Sequence, residues 1–133
     1  MMKRTHIAIG LAAGITIISY LNIPFVNIIC SYVGSIAPDW DFKLGIKHRT
    51  WTHSLLFLIL STFLICIFSF NMSILWFSGY FLHIVADSLT KMGVPFLYPF
   101  IKNNFGFKLF ATGKSEDLFF LLMFIWIISE LIK

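Results

Sequence analysis

The sequence predicts an all-α integral membrane bundle of about five transmembrane helices, the first two short and paired as a hairpin, in a single domain over residues 1–133. Three observations predict it. Of the 133 residues, 59% are hydrophobic, 18% aromatic and only 12% charged, at a mean hydropathy of +0.89, far from the composition of water-soluble domains. The apolar residues fall into long runs parted by Asn, Pro, Gly or charged residues. Finally, five spans with a cytoplasmic N-terminus put nine of the ten Lys and Arg residues on one side, leaving only Lys133 outside.

Taken in order, Lys3 and Arg4 precede an apolar stretch from Ile7 and imitate a secretory signal, but no small-x-small cleavage site closes that stretch before Asn22. A retained first helix is expected. The 30 residues from Ile7 to Ile36 would run about 45 Å as one helix, too long for a hydrocarbon core of roughly 30 Å. Asn22, Pro24 and Asn27 supply the break, which predicts helices over 6–21 and 24–37. Gly10 and Gly14 form G-x-x-x-G, the spacing that lets two helix backbones approach in lipid. Thr52–Phe70 reads as a third span and, after a turn at Asn71, Met72–Leu89 as a fourth. Asp117–Ile132 is the fifth, opening on Ser115, Glu116 and Asp117 as cap and first-turn acids. Between the last two lies a Pro/Gly loop that interleaves aromatic residues with Lys102 and Lys108, a composition suited to the headgroup interface.

The net charge of +4 is scattered over loops with no basic face, which excludes nucleic acid as the partner and points to membrane lipids. Cys30 and Cys66 lie in apolar runs without C-x-x-C spacing and read as small packing residues. Gly113-Lys114-Ser115 resembles the end of a phosphate-binding loop, but the required upstream glycine position is Lys108 and no strand precedes it.

The same topology gathers the titratable groups. His6 starts the first helix, Asp39 and Asp41 end the second, His48 and Arg49 lie in the next loop, and His53 starts the third. His83 and Asp87, four apart, share one face of the fourth helix near the same boundary. Ionisable side chains at this depth are costly unless paired, hydrated or metal-bound. Imidazole and carboxylate together suit zinc, with manganese or iron also compatible, and the absence of a nearby cysteine argues against a thiolate site. The ligand number accommodates one ion or a carboxylate-bridged pair.

Four segments carry a family resemblance: T-H-I-A-I-G at Thr5–Gly10, G-S-I-A-P-D-W-D at Gly34–Asp41, H-R-T-W-T-H-S at His48–Ser54 and G-Y-F-L-H-I-V-A-D-S-L-T-K-M-G-V-P at Gly79–Pro95. In this order they resemble the YdjM-type bacterial inner-membrane proteins, described as LexA-regulated, membrane-bound, metal-dependent hydrolases. The resemblance covers residues 5 to about 100 and implies induction during DNA damage, a feature of the promoter rather than of the protein. That family is in turn distantly similar to the zinc-dependent phospholipase C and P1 nuclease group. Carried over, the similarity implies His6, Asp39, His53, His83 and Asp87 as metal ligands. Asp41 and His48 match the membrane family's own pattern and are expected to support the ligands or act as general acid and base. The soluble enzymes continue H-x-x-x-D with a further histidine, which this chain lacks, so one or two ions are expected rather than three.

The expectation is a hydrolase acting on a phosphoester of a lipid or lipid-linked substrate at the cytoplasmic face, with Lys47 and Arg49 binding the phosphate. The competing expectation is a non-enzymatic membrane protein whose His/Asp cluster relays protons or metal ions or fixes helix packing.

Overall fold

The computed structural model describes residues 3–42, 45, 50–107, 109 and 116–132. These residues form five α-helices and no strands: α1 (Lys3–Leu21), α2 (Ile28–Ile36), α3 (Leu55–Phe68), α4 (Phe70–Ser88) and α5 (Glu116–Ile132). Short 3-10 turns at Phe25–Asn27, Ala37–Phe42 and Trp51–His53 flank α2 and precede α3.

The first apolar run breaks where Asn22 and Pro24 predict. Asn22 takes a left-handed φ of 52°, a conformation that Asn tolerates, and the Ile23 N–H donates to the Ile18 carbonyl at 3.2 Å. That bond ends α1 in a Schellman geometry, and its usual apolar contact is present because Ile18 and Ile23 are buried together against Leu75. The second helix is shorter than the expected 24–37, since 3-10 turns take both its ends. Pro38 falls in the first turn of Ala37–Phe42, where its missing N–H costs nothing.

The α3–α4 turn lies at Ser69, not at Asn71. Ser69 alone is extended (φ −161°, ψ 124°), and its hydroxyl accepts from the Met72 N–H at 3.4 Å, capping α4. Asn71 is thereby absorbed into the first turn of the helix. In the same way α3 begins at Leu55 rather than Thr52, because the Ser54 hydroxyl accepts from the Phe57 N–H at 3.2 Å. His53 therefore sits in a 3-10 turn ahead of the helix rather than on it.

Helix α4 is central, packed against α1, α2 and α3, while α5 lies along α1. The approach of α2 to its two neighbours is glycine-lined. A Cβ on Gly14 would come within 2.7 Å of the Ile28 side chain and 2.8 Å of Ser31, and one on Gly10 would collide with Ser35. On the opposite side, a Cβ on Gly79 would strike the Ser31 carbonyl, and one on Gly34 would lie 2.6 Å from the Trp76 carbonyl oxygen. The G-x-x-x-G spacing on α1 thus serves packing within the chain. The Ser31 hydroxyl donates to the Gly10 carbonyl at 2.7 Å across the same seam.

The distribution of side chains is inside-out. Buried residues include Thr5, His6, Ser31, Ser35, Asp41, His53, His83 and Asp87, whereas Phe57, Ile59, Leu60, Phe63, Leu64, Ile67 and Phe68 on α3 are exposed. In water such a surface would be an extended apolar patch; against acyl chains it is ordinary. By length and composition alone α1, at 19 residues and about 28 Å, is long and apolar enough to cross a membrane, and α3 is a shorter apolar helix of 14 residues, about 21 Å.

The described part of the loop after α4 folds back on the bundle. Val94 and Phe105 exchange backbone hydrogen bonds of 2.8 and 2.9 Å, and the Phe107 N–H donates to the Ser88 carbonyl. The loop leaves Leu97, Phe100, Ile101 and Phe107 exposed, the aromatic and aliphatic display expected of an interfacial segment.

Candidate metal centre

Four segments deliver polar side chains to one end of the bundle. His6 comes from the first turns of α1, Asp39 and Asp41 from the Ala37–Phe42 turn, His53 from the Trp51–His53 turn, and His83 and Asp87 from one face of α4. His6, Asp41, His53, His83 and Asp87 are all at most 1% exposed, and the Asp39 side chain is 13% exposed. No local pattern dictates this convergence. It follows from α1, α2 and α4 being drawn together at their small residues, with the turns after α2 and before α3 folded over that end.

The distances describe one cluster. Asp87 stands at its centre: Oδ1 lies 3.3 Å from His6 Nε2, while Oδ2 lies 3.4 Å from His53 Nε2 and 3.7 Å from His83 Nε2. Asp39 Oδ1 faces the same two imidazoles from the other side, 3.9 Å from His53 Nε2 and 3.6 Å from His83 Nε2. The His6 and His83 rings stack at 3.7 Å with 17° between their planes.

The surrounding hydrogen bonds decide which ring nitrogens carry protons. His83 Nδ1 lies 2.6 Å from the Ser35 carbonyl oxygen, which can only accept, so Nδ1 is the protonated nitrogen and Nε2 of the neutral ring presents its lone pair. The Thr52 hydroxyl donates to Asp41 Oδ2 at 3.0 Å and lies 3.1 Å from His53 Nδ1. With that proton given to Asp41, the hydroxyl oxygen is placed to accept from a His53 Nδ1–H, which would turn Nε2 towards Asp39 and Asp87 as a ligand atom. The Nε2 atoms of both rings face carboxylate oxygens of Asp39 and Asp87. In a dry interior such close imidazole–carboxylate contacts are held either by a proton on the ring or by a metal cation between the groups. Two imidazolium rings stacked as His6 and His83 are would repel, whereas one divalent ion balances the two negative charges of Asp39 and Asp87.

The donor set fits a metal ion. His6, His83 and Asp87 form one group of ligand atoms within 4.8 Å of one another, and Asp39, His53 and His83 form a second. The four distances linking His53 and His83 to Asp39 and Asp87 run from 3.4 to 3.9 Å, slightly wider than the ~3.4 Å edge of a zinc tetrahedron with ~2.1 Å bonds. His83 has one free lone pair and so can serve one ion. A second ion would rely on His6 and the other oxygen of Asp87. Among the described residues, His83 Nε2 is sealed from solvent with no hydrogen-bond partner, the condition in which a ring nitrogen can serve as a ligand.

All five residues expected as ligands from sequence, His6, Asp39, His53, His83 and Asp87, meet here. Asp41, an acid/base candidate from sequence, lies behind His53 and reaches it through Thr52, the position of a supporting group. His48, Lys47 and Arg49 lie outside the described residues. Sequence reasoning missed Thr52, although it sits within the quoted T-W-T-H-S segment, and a hydroxyl beside a proposed ligand was the available signal. The Ser35 carbonyl left no signal, because a backbone acceptor has no side-chain signature.

The model of the YdjM inner membrane protein family matches residues 1–132. The chain belongs to that family. YdjM membership accounts for the inside-out surface, since the family is one of inner membrane proteins, and the match extends beyond the quoted segments through α5. No curated protein and no solved structure matches the chain.

Proposed function

We propose that this YdjM-family chain is a five-span inner membrane protein with a cytoplasmic N-terminus. In this reading it holds one or two divalent ions, zinc foremost, and hydrolyses a phosphoester of a lipid or lipid-linked substrate at the cytoplasmic face. One observation carries the reading: the Nε2 atoms of His53 and His83 each lie within 3.9 Å of the carboxylates of Asp39 and Asp87 in a buried space, a donor set suited to a divalent cation. The hydrolytic part also draws on the sequence resemblance to metal-dependent hydrolases. Orientation is supported by the charge count, and by helices that turn back at Asn22 and Ser69 and so return every ligand-bearing end to one side.

His6, Asp39, His53, His83 and Asp87 would hold the ions. When bound, such an ion supplies Lewis-acid chemistry to phosphoester hydrolysis. The chain's own residues do the rest. The Ser35 carbonyl and the Asp41–Thr52 pair orient the rings of His83 and His53, and the packed helices keep bulk water from all but the Asp39 edge. His48 is the remaining acid/base candidate, and Lys47 and Arg49 neutralise the phosphate.

The test is elemental analysis of detergent-purified wild type, His83→Ala and Asp87→Ala, with zinc, manganese and iron offered separately, followed by a screen of phosphoester lipids. Metal bound by wild type and lost from both variants, with product released only by loaded wild type, is the expected result. A wild type that takes up no metal would leave a proton-held packing cluster and end the hydrolase reading.

A further inference from the structure

The metal cluster has one edge that is not sealed. Of its carboxylates and imidazoles, Asp39 alone is appreciably exposed, at 13%. It faces a cleft of about 230 Å³ between α1 and the end of α2, lined otherwise by Lys3, Ile7, Tyr32, Ile36 and Trp40. The composition of this cleft is asymmetric. Among the described residues Lys3 is its one cation, at the cytoplasmic end of α1 in the proposed topology, while Ile7, Ile36 and the Trp40 ring make an apolar wall. Trp40 and Tyr32 are themselves partly exposed, so the apolar side of the cleft reaches the surface of the bundle.

We infer that this cleft is the substrate port, in which Lys3 binds the anionic phosphate of a phosphoester while its apolar substituent lies along Ile7, Ile36 and Trp40 with the phosphorus directed towards Asp39. The inference rests on the hydrolase reading above and gives its substrate class: a phosphate ester with an alkyl or acyl substituent, admitted laterally from the inner leaflet. The volume supports this, since it exceeds that of a phosphate group by room for only a few methylenes, and the remaining chain would stay among lipid tails. An ammonium at a headgroup-level rim is a point charge with three donors, well matched to a monoester dianion. The same chemistry is present in a water-soluble phosphate monoester, and the apolar wall is what separates the two sources.

The experiment measures binding of dihexanoyl phosphatidic acid and of glycerol 3-phosphate to the zinc-loaded full-length protein in detergent, by calorimetry, with zinc content determined for every variant. Wild type should bind the phosphatidic acid at least tenfold more tightly than glycerol 3-phosphate. Lys3→Ala should weaken phosphatidic acid binding by about tenfold or more, the effect of one lost charge-assisted hydrogen bond, while zinc content stays at the wild-type value and Lys3→Arg retains binding. Ile36→Trp, which fills the cleft and leaves the charge in place, should weaken phosphatidic acid binding to a similar extent. Unchanged affinity in Lys3→Ala or Ile36→Trp with zinc intact overturns the port. Equal affinity for the two ligands overturns the lateral, lipid-derived substrate. Absence of zinc from wild type is a different failure, which removes the hydrolase reading and the port with it.

Discussion

Replacing Thr52 by valine removes one hydroxyl and leaves the shape of the side chain nearly unchanged, so it isolates the proton arrangement behind His53. In the native protein that hydroxyl sits 3.0 Å from Asp41 Oδ2 and 3.1 Å from His53 Nδ1 and joins the two into a chain that directs Nε2 towards Asp39 and Asp87. Valine cannot accept from Nδ1–H, and Asp41, 3.7 Å from Nδ1, is too far to replace it without movement. The ring then loses both its orientation and the bias towards the Nδ1–H tautomer. Loss of such a supporting hydrogen bond to a ligand imidazole costs about 10- to 100-fold in metal affinity, or roughly 1.4–2.7 kcal/mol. The cost is comparable to leaving a buried polar group without its partner, about 1–3 kcal/mol. Competition between the purified protein and a chromogenic chelator reads the zinc dissociation constant directly. It should rise by that factor in Thr52→Val and stay near wild type in Thr52→Ser. Zinc held equally well by Thr52→Val would show that this chain of hydrogen bonds does not set the His53 tautomer, and the lone-pair argument for the centre would fail at that residue.

Other outcomes follow from the same geometry. Acidification from about pH 7.5 to about pH 5 should release bound zinc, because imidazole must be deprotonated to ligate and protons compete for the same lone pairs; chelator release against pH reads this, and occupancy that rises on acidification would contradict it. Gly79→Ala places a methyl against the backbone of Ser31, with the Ser31 carbonyl carbon and Ser35 nitrogen both 3.0 Å away. Overpacking at a seam with no flexible neighbour should cost about 1–3 kcal/mol and lower the thermal midpoint in detergent by roughly 4–10 °C. With Cys30 and Cys66 replaced by serine, a cysteine at Gly45 should react only with reagent on the cytoplasmic side, and one at Ser69 only from the periplasmic side. The reverse pattern would invert the topology proposed above.

The turns show how far local reading reaches. Asn22 and Pro24 announce a break because a left-handed residue and a missing N–H act within one turn of helix, and the structure breaks there. Ser69 is harder to read. In a run from Leu55 to Ser88 with several serines, a hydroxyl that caps a helix looks the same in sequence as one that bonds back within a helix, as Ser61 and Ser73 do. Asn71 is the more polar residue, and the cap nonetheless fell to the side chain that could reach an unpaired N–H.

What the amino-acid sequence determined by itself is the helical, membrane-suited character of the chain and the set of helix ends that carry the histidines and aspartates. Hydropathy and turn chemistry are local, and alternating helices return every second end to the same side. The i, i+4 spacing of His83 and Asp87 is likewise a local fact. Only the tertiary structure decided which nitrogen of each imidazole faces the cluster, that Asp41 stands behind Thr52 rather than at the centre, and that Lys3 lines a cleft beside Asp39. These depend on partners far apart in the chain, such as the Ser35 carbonyl 48 residues from His83. The direction of a hydrogen bond is settled by what lies opposite it in space, and no periodicity in the chain encodes that.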